Sequence, residues 1–286
     1  MAPRGLVLGT VQLGTEYGIA NRTGRPAPQD AIDLLQSAAR GGVAALDTAP
    51  GYGDAEELIG SAGVALPVCT KIAAGAEPAR SLEGSLRRLR RDSVEVLFLH
   101  DPEVLEGDGD GVIDRAAVLV GERVGLLGAS VYTPAQFAAA LSDDRIGAIQ
   151  APASAADQRL VRDGLLERAA AEGKPVYLRS VFLQGALLLA PGELPPHLTG
   201  LQPVVERVGA LARERHEPMG HVLVAFARDL PGVAGVVVGA ESADQVDQNL
   251  RAFAAPSLTT TQRDAVMALP SADEGVVDPR RWVATR

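Results

Sequence analysis

Ser81-Leu-Glu-Gly-Ser-Leu-Arg-Arg-Leu-Arg90, followed after three residues by Val94-Glu-Val-Leu-Phe-Leu-His100, is a helical period giving way to a strand. Leu82, Leu86 and Leu89 fall at i, i+4 and i+7, which places them on one face of a helix over 81–90. The run 94–100 is short, apolar and closed by a histidine, the pattern of a buried strand. The same alternation extends over the whole chain. Strand-like runs lie at 6–10, 43–47, 68–71, 94–100, 124–130, 146–150, 176–179 and 233–238. Helical patterns lie between them at 30–39, 81–90, 134–141, 158–171, 203–215 and 243–250, with an extra helix near 220–230. Such βα alternation predicts a parallel sheet, and eight strands predict a closed (β/α)8 TIM barrel. The rival is an open doubly wound sheet with a glycine-rich first turn. It lacks its fingerprint, because the first strand runs into Gly9-Thr-Val-Gln-Leu-Gly14 and not Gly-x-Gly-x-x-Gly. Ser242-Ala-Asp-Gln245 reads as a capping box opening a late helix.

The 286 residues suit one α/β barrel, which often runs to about 250 residues. Residues 1–286 are therefore expected to form a single domain, with 273–286 as a C-terminal tail near the barrel mouth. Hydrophobic residues make up 47% of the chain, yet no apolar run approaches the roughly 20 residues of a bilayer span. The first residues carry one positive charge and too short an apolar run for a signal peptide. The sole cysteine, Cys69, rules out an intramolecular disulfide, so a cytoplasmic protein is expected, with Cys69 buried and inert. A formal charge of −9 and scattered arginines point away from nucleic acid. The densest basic run, Arg87-Arg88-Leu-Arg90-Arg91, reads as the solvated face of its helix. No metal is expected, since Asp108 and Asp110 lack the spacing and closing glutamate of a calcium loop. The oligomeric state is left open.

In a barrel, reactive side chains belong at the C-terminal ends of strands. Seven predicted strands end in Thr10, Asp47, Lys71, His100, Ser130, Gln150 and Arg179, all polar after apolar interiors. Lys71 is the most telling, being one of two lysines among 27 basic residues and closing the run Pro67-Val-Cys-Thr-Lys71. A buried ammonium without a partner is costly. Tyr52 follows Asp47 by five residues. Taken singly, Asp47 reads equally as a helix cap, Tyr52 as a packed turn residue and His100 as a core histidine. Together they supply an acid, a phenol, an amine and an imidazole for proton transfer. A free phenol has a pKa near 10, and a neighbouring ammonium lowers it, so Lys71 is expected to acidify Tyr52. Asp47 would hold the lysine, and His100 would hydrogen-bond a substrate carbonyl. A hydride must come from a bound nicotinamide, because no side chain supplies one.

Leu46-Asp-Thr-Ala-Pro-Gly-Tyr-Gly-Asp-Ala-Glu-Glu-Leu-Ile-Gly60, Cys69-Thr-Lys71 and the 81–100 unit, in this order, resemble the aldo-keto reductases over nearly the whole chain. Gly239-Ala-Glu-Ser-Ala-Asp-Gln-Val-Asp-Gln-Asn249 looks like that family's cofactor turn and helix. Gly9-Thr-Val-Gln-Leu-Gly-Thr-Glu-Tyr-Gly-Ile-Ala20 and Arg179-Ser-Val-Phe-Leu-Gln-Gly185 are most similar to bacterial, shaker-type-like members associated with polysaccharide or modified-sugar pathways. The resemblance implies an NAD(P)H-dependent enzyme reducing an aldehyde or ketone, a keto-sugar among the candidates, with Asp47, Tyr52, Lys71 and His100 catalytic and Tyr52 the general acid. It implies cofactor contacts from Thr10, Asp47, Ser130, Gln150 and Arg179 around nicotinamide, from Ser180, Phe182 and Gly185 at the pyrophosphate, and from Gly239, Glu241, Gln245 and Asn249 at the adenosine end. Tyr17 and Trp282 would meet a small-molecule carbonyl substrate, with no membrane partner.

The chain also departs from the family pattern. Val131 stands where asparagine is common, and Arg179 stands where an aromatic commonly stacks on nicotinamide. The turn at 239–249 offers no lysine or arginine at the contact positions for a 2′-phosphate, so NADP is the family default and NAD the rival. About five residues precede the first strand, too few for the hairpin that often closes the barrel bottom. In the tail, Asp278-Pro-Arg-Arg-Trp-Val283 suits either a sugar or anionic group or an anchor holding the tail down. Two functional alternatives remain: an NAD-dependent aldose dehydrogenase, and a cofactor-binding scaffold or sensor with little turnover. The scaffold has no need of Tyr52.

Overall fold

The computed structural model describes residues 3–107 and 111–282. Eight parallel strands close on themselves in chain order: β1 (Gly5–Gly9), β2 (Ala45–Asp47), β3 (Val68–Ile72), β4 (Val94–Leu99), β5 (Val124–Ser130), β6 (Ala148–Pro152), β7 (Val176–Arg179) and β8 (Val233–Gly239). Helices return the chain between strands, so this is the predicted (β/α)8 barrel. Gly9 pairs with Asp47 on one side and Gly239 on the other, and Ser130 pairs with Gln150, which levels these polar strand ends at one mouth.

Several helices differ from the sequence reading for local reasons. The pattern at 158–171 is two helices, Arg159–Arg162 and Leu165–Ala171, because Gly164 between them takes φ 65°. The Ala55–Ala62 helix went unread, being too short for its period to stand out, although it buries Leu58 and Ile59. The basic run is not simply solvated. Arg88 Nε donates to buried Glu56 at 2.8 Å, and Glu56 also accepts from Thr70 Oγ1 at 2.7 Å. One carboxylate thereby ties β3 to two helices. Lys174, the second lysine, donates to the carbonyls of Ala140, Leu141 and Asp143 at the end of the Pro134–Ser142 helix, completing acceptors that a helix terminus leaves open.

Strand alternation divides the core in two. Leu97 and Leu99 face the helical layer, while Val96 and Phe98 join Val7, Ala45, Cys69 and Tyr177 inside the barrel. Phe98 and Tyr177 meet edge-to-face, 5.9 Å between centroids. Neighbouring glycines make the room: a Cβ on Gly128 would lie 2.5 Å from Phe98, and one on Gly235 would lie 2.6 Å from Tyr177. The Tyr177 hydroxyl donates to Pro3 O at 3.1 Å, so this ring fills the N-terminal side of the barrel. Cys69 is buried there, and burial pushes its thiol well up, away from the reactive thiolate. Among the described residues no helix is long and apolar enough to cross a membrane, and no cluster of His, Cys, Asp and Glu could hold a metal. Asp108 and Asp110 lie outside the described residues.

Candidate active site

The polar strand ends converge on a cavity of about 430 Å³. Thr10, Asp47, Tyr52, Lys71, His100, Ser130, Gln150 and Arg179 all line it. Lys71 is 1% exposed, and its ammonium donates to both Asp47 carboxylate oxygens and to Thr48 O, each at 2.9 Å. Gln150 Nε2 donates to Asp47 Oδ1 at 2.7 Å, and Ser130 Oγ donates to Gln150 Oε1 at 3.1 Å. Four strands thus share one buried polar chain, in which every member has a partner.

Tyr52 reaches this chain from the turn after β2. Its ring centroid lies 5.0 Å from Lys71 Nζ, and its ring meets His100 edge-to-face at 6.3 Å. The turn is seated by two glycines. A Cβ on Gly14 would fall 1.7 Å from Tyr52 O, and one on Gly53, at φ 58°, would fall 2.2 Å from Gly14 O. Backbone therefore packs directly on backbone and fixes where the phenol stands.

The electrostatics modify the sequence expectation. Burial raises the Tyr52 phenol above its ordinary pKa of 10.0 and outweighs the opposing pull of Lys71, while Asp47 raises it further. Lys71 does not acidify the phenol below its ordinary value, because burial, with Asp47 adding to it, outweighs the ammonium. Burial alone would lower Lys71, yet Asp47 and Tyr52 hold it above its ordinary value, so it stays cationic. Burial and the Lys71 charge push His100 down to about 4, leaving a neutral imidazole.

From these strand ends the cleft passes the β7 loop to Glu241, Gln245, Gln248 and Asn249. Ser180, Leu183 and Gln184 take φ 61°, 48° and 54°, left-handed values that are strained for non-glycine residues and cluster at ligand sites. Gln184 O accepts from Ile19 N at 3.0 Å, fastening this loop to the segment carrying Tyr17. Phe182 and Gly185 line the same wall. Gly239 is cradled by Gln12, whose Nε2 would lie 1.9 Å from an added Cβ. Gln12 Oε1 is buried and has no partner, and sequence reading missed this residue. Its only signal was its place in the turn directly after β1. At the far end Asn249 Nδ2 donates to Gly239 O at 3.0 Å, and Gln245 Nε2 donates to Glu241 Oε2 at 3.0 Å. The capping box is only half formed: Ser242 Oγ accepts from Gln245 N, but Gln245 Oε1 accepts from Glu241 N. Lys71 and Arg179 are the only lysine or arginine residues among those lining the cleft. Hydroxyl and amide groups at one end, a glycine cradle with an unpaired acceptor in the middle and a carboxylate at the other fit an extended dinucleotide.

Arg179 does not stand free at the strand ends. Its guanidinium lies 4.1 Å from the Tyr132 centroid, and that of Arg280 lies 3.3 Å from the same centroid. Two groups so close must occupy opposite ring faces. Tyr132 therefore joins β7 to the tail. Tyr17 lines the cavity, but Trp282 does not: its Nε1 donates to Val276 O at 3.0 Å and its ring meets His197 at 6.0 Å. Trp282 anchors the tail.

A closed parallel barrel with these four groups at its mouth and a dinucleotide-shaped cleft beside them defines a barrel oxidoreductase. The model of the aldo/keto reductase family matches residues 5–269, and the chain belongs to that family of NAD(P)-dependent oxidoreductases. No curated protein matches the sequence. Among solved structures, the holo form of an aldo-keto reductase from Bacillus halodurans superposes with a TM-score of 0.76 at 23% identity, covering 99% of this chain and 96% of its own. A glycerol dehydrogenase from Gluconobacter oxydans gives 0.71 at 22%, covering 92% and 90%. An aldo/keto reductase from Klebsiella pneumoniae, in complex with NADP and acetate, gives 0.70 at 22%, covering 94% of each chain. At these identities the likeness is one of fold.

Proposed function

We propose that this chain reduces the carbonyl of a small, polar, sugar-like molecule with NAD(P)H, acting as one barrel unit over residues 1–286 in a reducing cytoplasm. The observation that carries the reading is the Asp47–Lys71–Tyr52–His100 group on one wall of the cleft. Thr10, Ser130 and Gln150 would hold the nicotinamide end, Ser180, Phe182 and Gly185 the pyrophosphate, and Gly239, Glu241, Gln245 and Asn249 the adenosine end. When bound, the cofactor supplies the hydride that no side chain can. Tyr52 gives its proton to the carbonyl oxygen as negative charge grows there. Lys71 stabilises the resulting phenolate, and Asp47 keeps Lys71 charged and in place. Neutral His100 hydrogen-bonds the same oxygen and orients the substrate. The polar mouth and an aromatic content of 3% support a polar substrate over a polycyclic one.

The test is oxidation of NADH and NADPH against a panel of aldehydes, ketones, sugar nucleotides and free aldoses. Binding of cofactor without turnover on any carbonyl would leave only a scaffold or sensor. Turnover confined to free aldoses with NAD would make it an aldose dehydrogenase.

His100 gives this reading a pH signature. With its native pKa near 4, kcat/KM should show no inflection near 6.5, because the imidazole stays neutral down to about pH 5. The unfolded chain takes up this proton near pH 6.5 and the native one only near 4. Stability should therefore fall as pH drops through that window, by about 3 kcal/mol at most from this group. Rate–pH profiles and urea titrations between pH 4 and 8 read both. An inflection at 6.5 that vanishes in His100→Ala would remove the neutral imidazole from the mechanism.

Cofactor preference turns on Glu241, which lines the adenosine end without a cation beside it; Arg251 is exposed and outside the lining. A carboxylate facing a 2′-phosphate costs on the order of 1–3 kcal/mol at an effective dielectric near 20, roughly 5- to 150-fold in affinity. NADH should therefore compete with NADPH. Glu241→Arg should tighten NADPH binding by a similar factor with little change for NADH, as read by fluorescence titration. An unchanged ratio would mean that Glu241 points away from the phosphate.

A further inference from the structure

We infer that the substrate carries an anionic group, a carboxylate or phosphate, which docks on Arg179 beside Tyr17 and Tyr132 at the catalytic end of the cleft. This deepens the carbonyl-reductase reading and rests on it. The cleft's two cations differ in their state. Lys71 is neutralised by Asp47 at 2.9 Å, whereas Arg179 has no carboxylate partner among the described residues. The only other carboxylate in the lining is Glu241, at the opposite end. With His100 neutral, the catalytic end therefore holds one uncompensated positive charge inside a protein of net charge −9.

The guanidinium is also held ready. Arg179 Nη2 donates to Val131 O at 2.9 Å, Nη1 approaches Ser180 Oγ at 3.4 Å, and one face rests on Tyr132. Arg280 supports the opposite face of that ring, its own charge met by Asp278 at 2.6 Å. A guanidinium has five donors in a rigid fork, so these contacts leave donors to spare in an orientation already fixed. A fixed fork of this kind suits the paired oxygens of a carboxylate or phosphate. The contacts to Val131 and Tyr132 carry the side chain towards β5, and it lines the same cavity as Tyr17, Tyr52 and His100. That places the charge among the catalytic groups and apart from Gly239 and Glu241.

The experiment compares matched pairs: succinic semialdehyde with butyraldehyde, glyceraldehyde 3-phosphate with glyceraldehyde, and a uronic acid with its aldose. The expected result is a preference in kcat/KM of about 10- to 100-fold for the anionic member of at least one pair, the scale of a charge-assisted hydrogen bond. Arg179→Gln should bring that ratio close to one, chiefly through KM, and Arg179→Lys should keep part of it. Oxalate and inorganic phosphate, as dead-end probes, should inhibit competitively against the carbonyl substrate and lose that inhibition in Arg179→Gln. Inhibition competitive against the cofactor instead would assign Arg179 to the pyrophosphate and overturn the inference. So would a ratio near one in every pair, or a ratio unchanged in Arg179→Gln, and either result would leave the reductase reading standing. Absence of turnover on both members of every pair would remove the reductase reading itself.

Discussion

Tyr52→Phe is expected to lower turnover by about 10²- to 10⁴-fold while leaving cofactor affinity nearly intact, the loss typical of removing a general acid. Phenylalanine keeps the ring that packs edge-to-face on His100 at 6.3 Å, and with it the turn seated on Gly14 and Gly53, so the change removes the hydroxyl and little else. Because burial holds the phenol above 10, the wild-type donor stays protonated across the ordinary working range, and reduction should fall off only in strongly alkaline solution. A deuterated cofactor showing a primary isotope effect in wild type establishes that chemistry limits the rate. If turnover of Tyr52→Phe then stayed near normal, another group would be the acid.

Lys71→Met should cost both activity and stability. Asp47 is 5% exposed, and without the ammonium its carboxylate keeps only Gln150 Nε2 as a side-chain donor. Removing one partner of a buried ion pair typically costs 3–5 kcal/mol, because the remaining charge is left uncompensated. For a chain of this size that is a fall in Tm on the order of 10 °C. Activity should drop as well, since the phenolate formed by Tyr52 loses its stabilising charge. The double substitution Lys71→Met with Asp47→Leu separates the two effects: stability should return in large part and turnover should not. Equal stability of wild type and Lys71→Met in urea would show that the pair does not anchor the site.

The strands, and the polar side chains gathered at their ends, were legible in the sequence because both are local signals. Runs such as 94–100 and 124–130 are short and apolar, and a polar residue closes each where the barrel needs it. What escaped depends on contacts between distant segments. Gln12 becomes conspicuous only when β1 pairs with β8 and lays its amide against Gly239. The Arg179–Tyr132–Arg280 stack joins three parts of the chain that share no pattern. The phenol illustrates another limit. Its neighbours were readable, but the depth of its burial was not, and burial decides the direction in which its pKa moves. Trp282 was readable as an aromatic in a basic tail, and the fold turned it inward to Val276 and His197.

Both lysines of this chain are spent on internal carbonyls and carboxylates, Lys71 inside the site and Lys174 at a helix end. The Lys71 ammonium is thus withdrawn from solution, and that of Lys174 is half-buried on three carbonyls. Coupling to succinimide-activated resins, labelling with amine-reactive dyes and glutaraldehyde fixation would find little purchase on its side chains beyond a tethered Lys174. Immobilisation of this protein should instead go through its 36 aspartates and glutamates, and any amine coupling that did reach Lys71 would report that the cleft had opened.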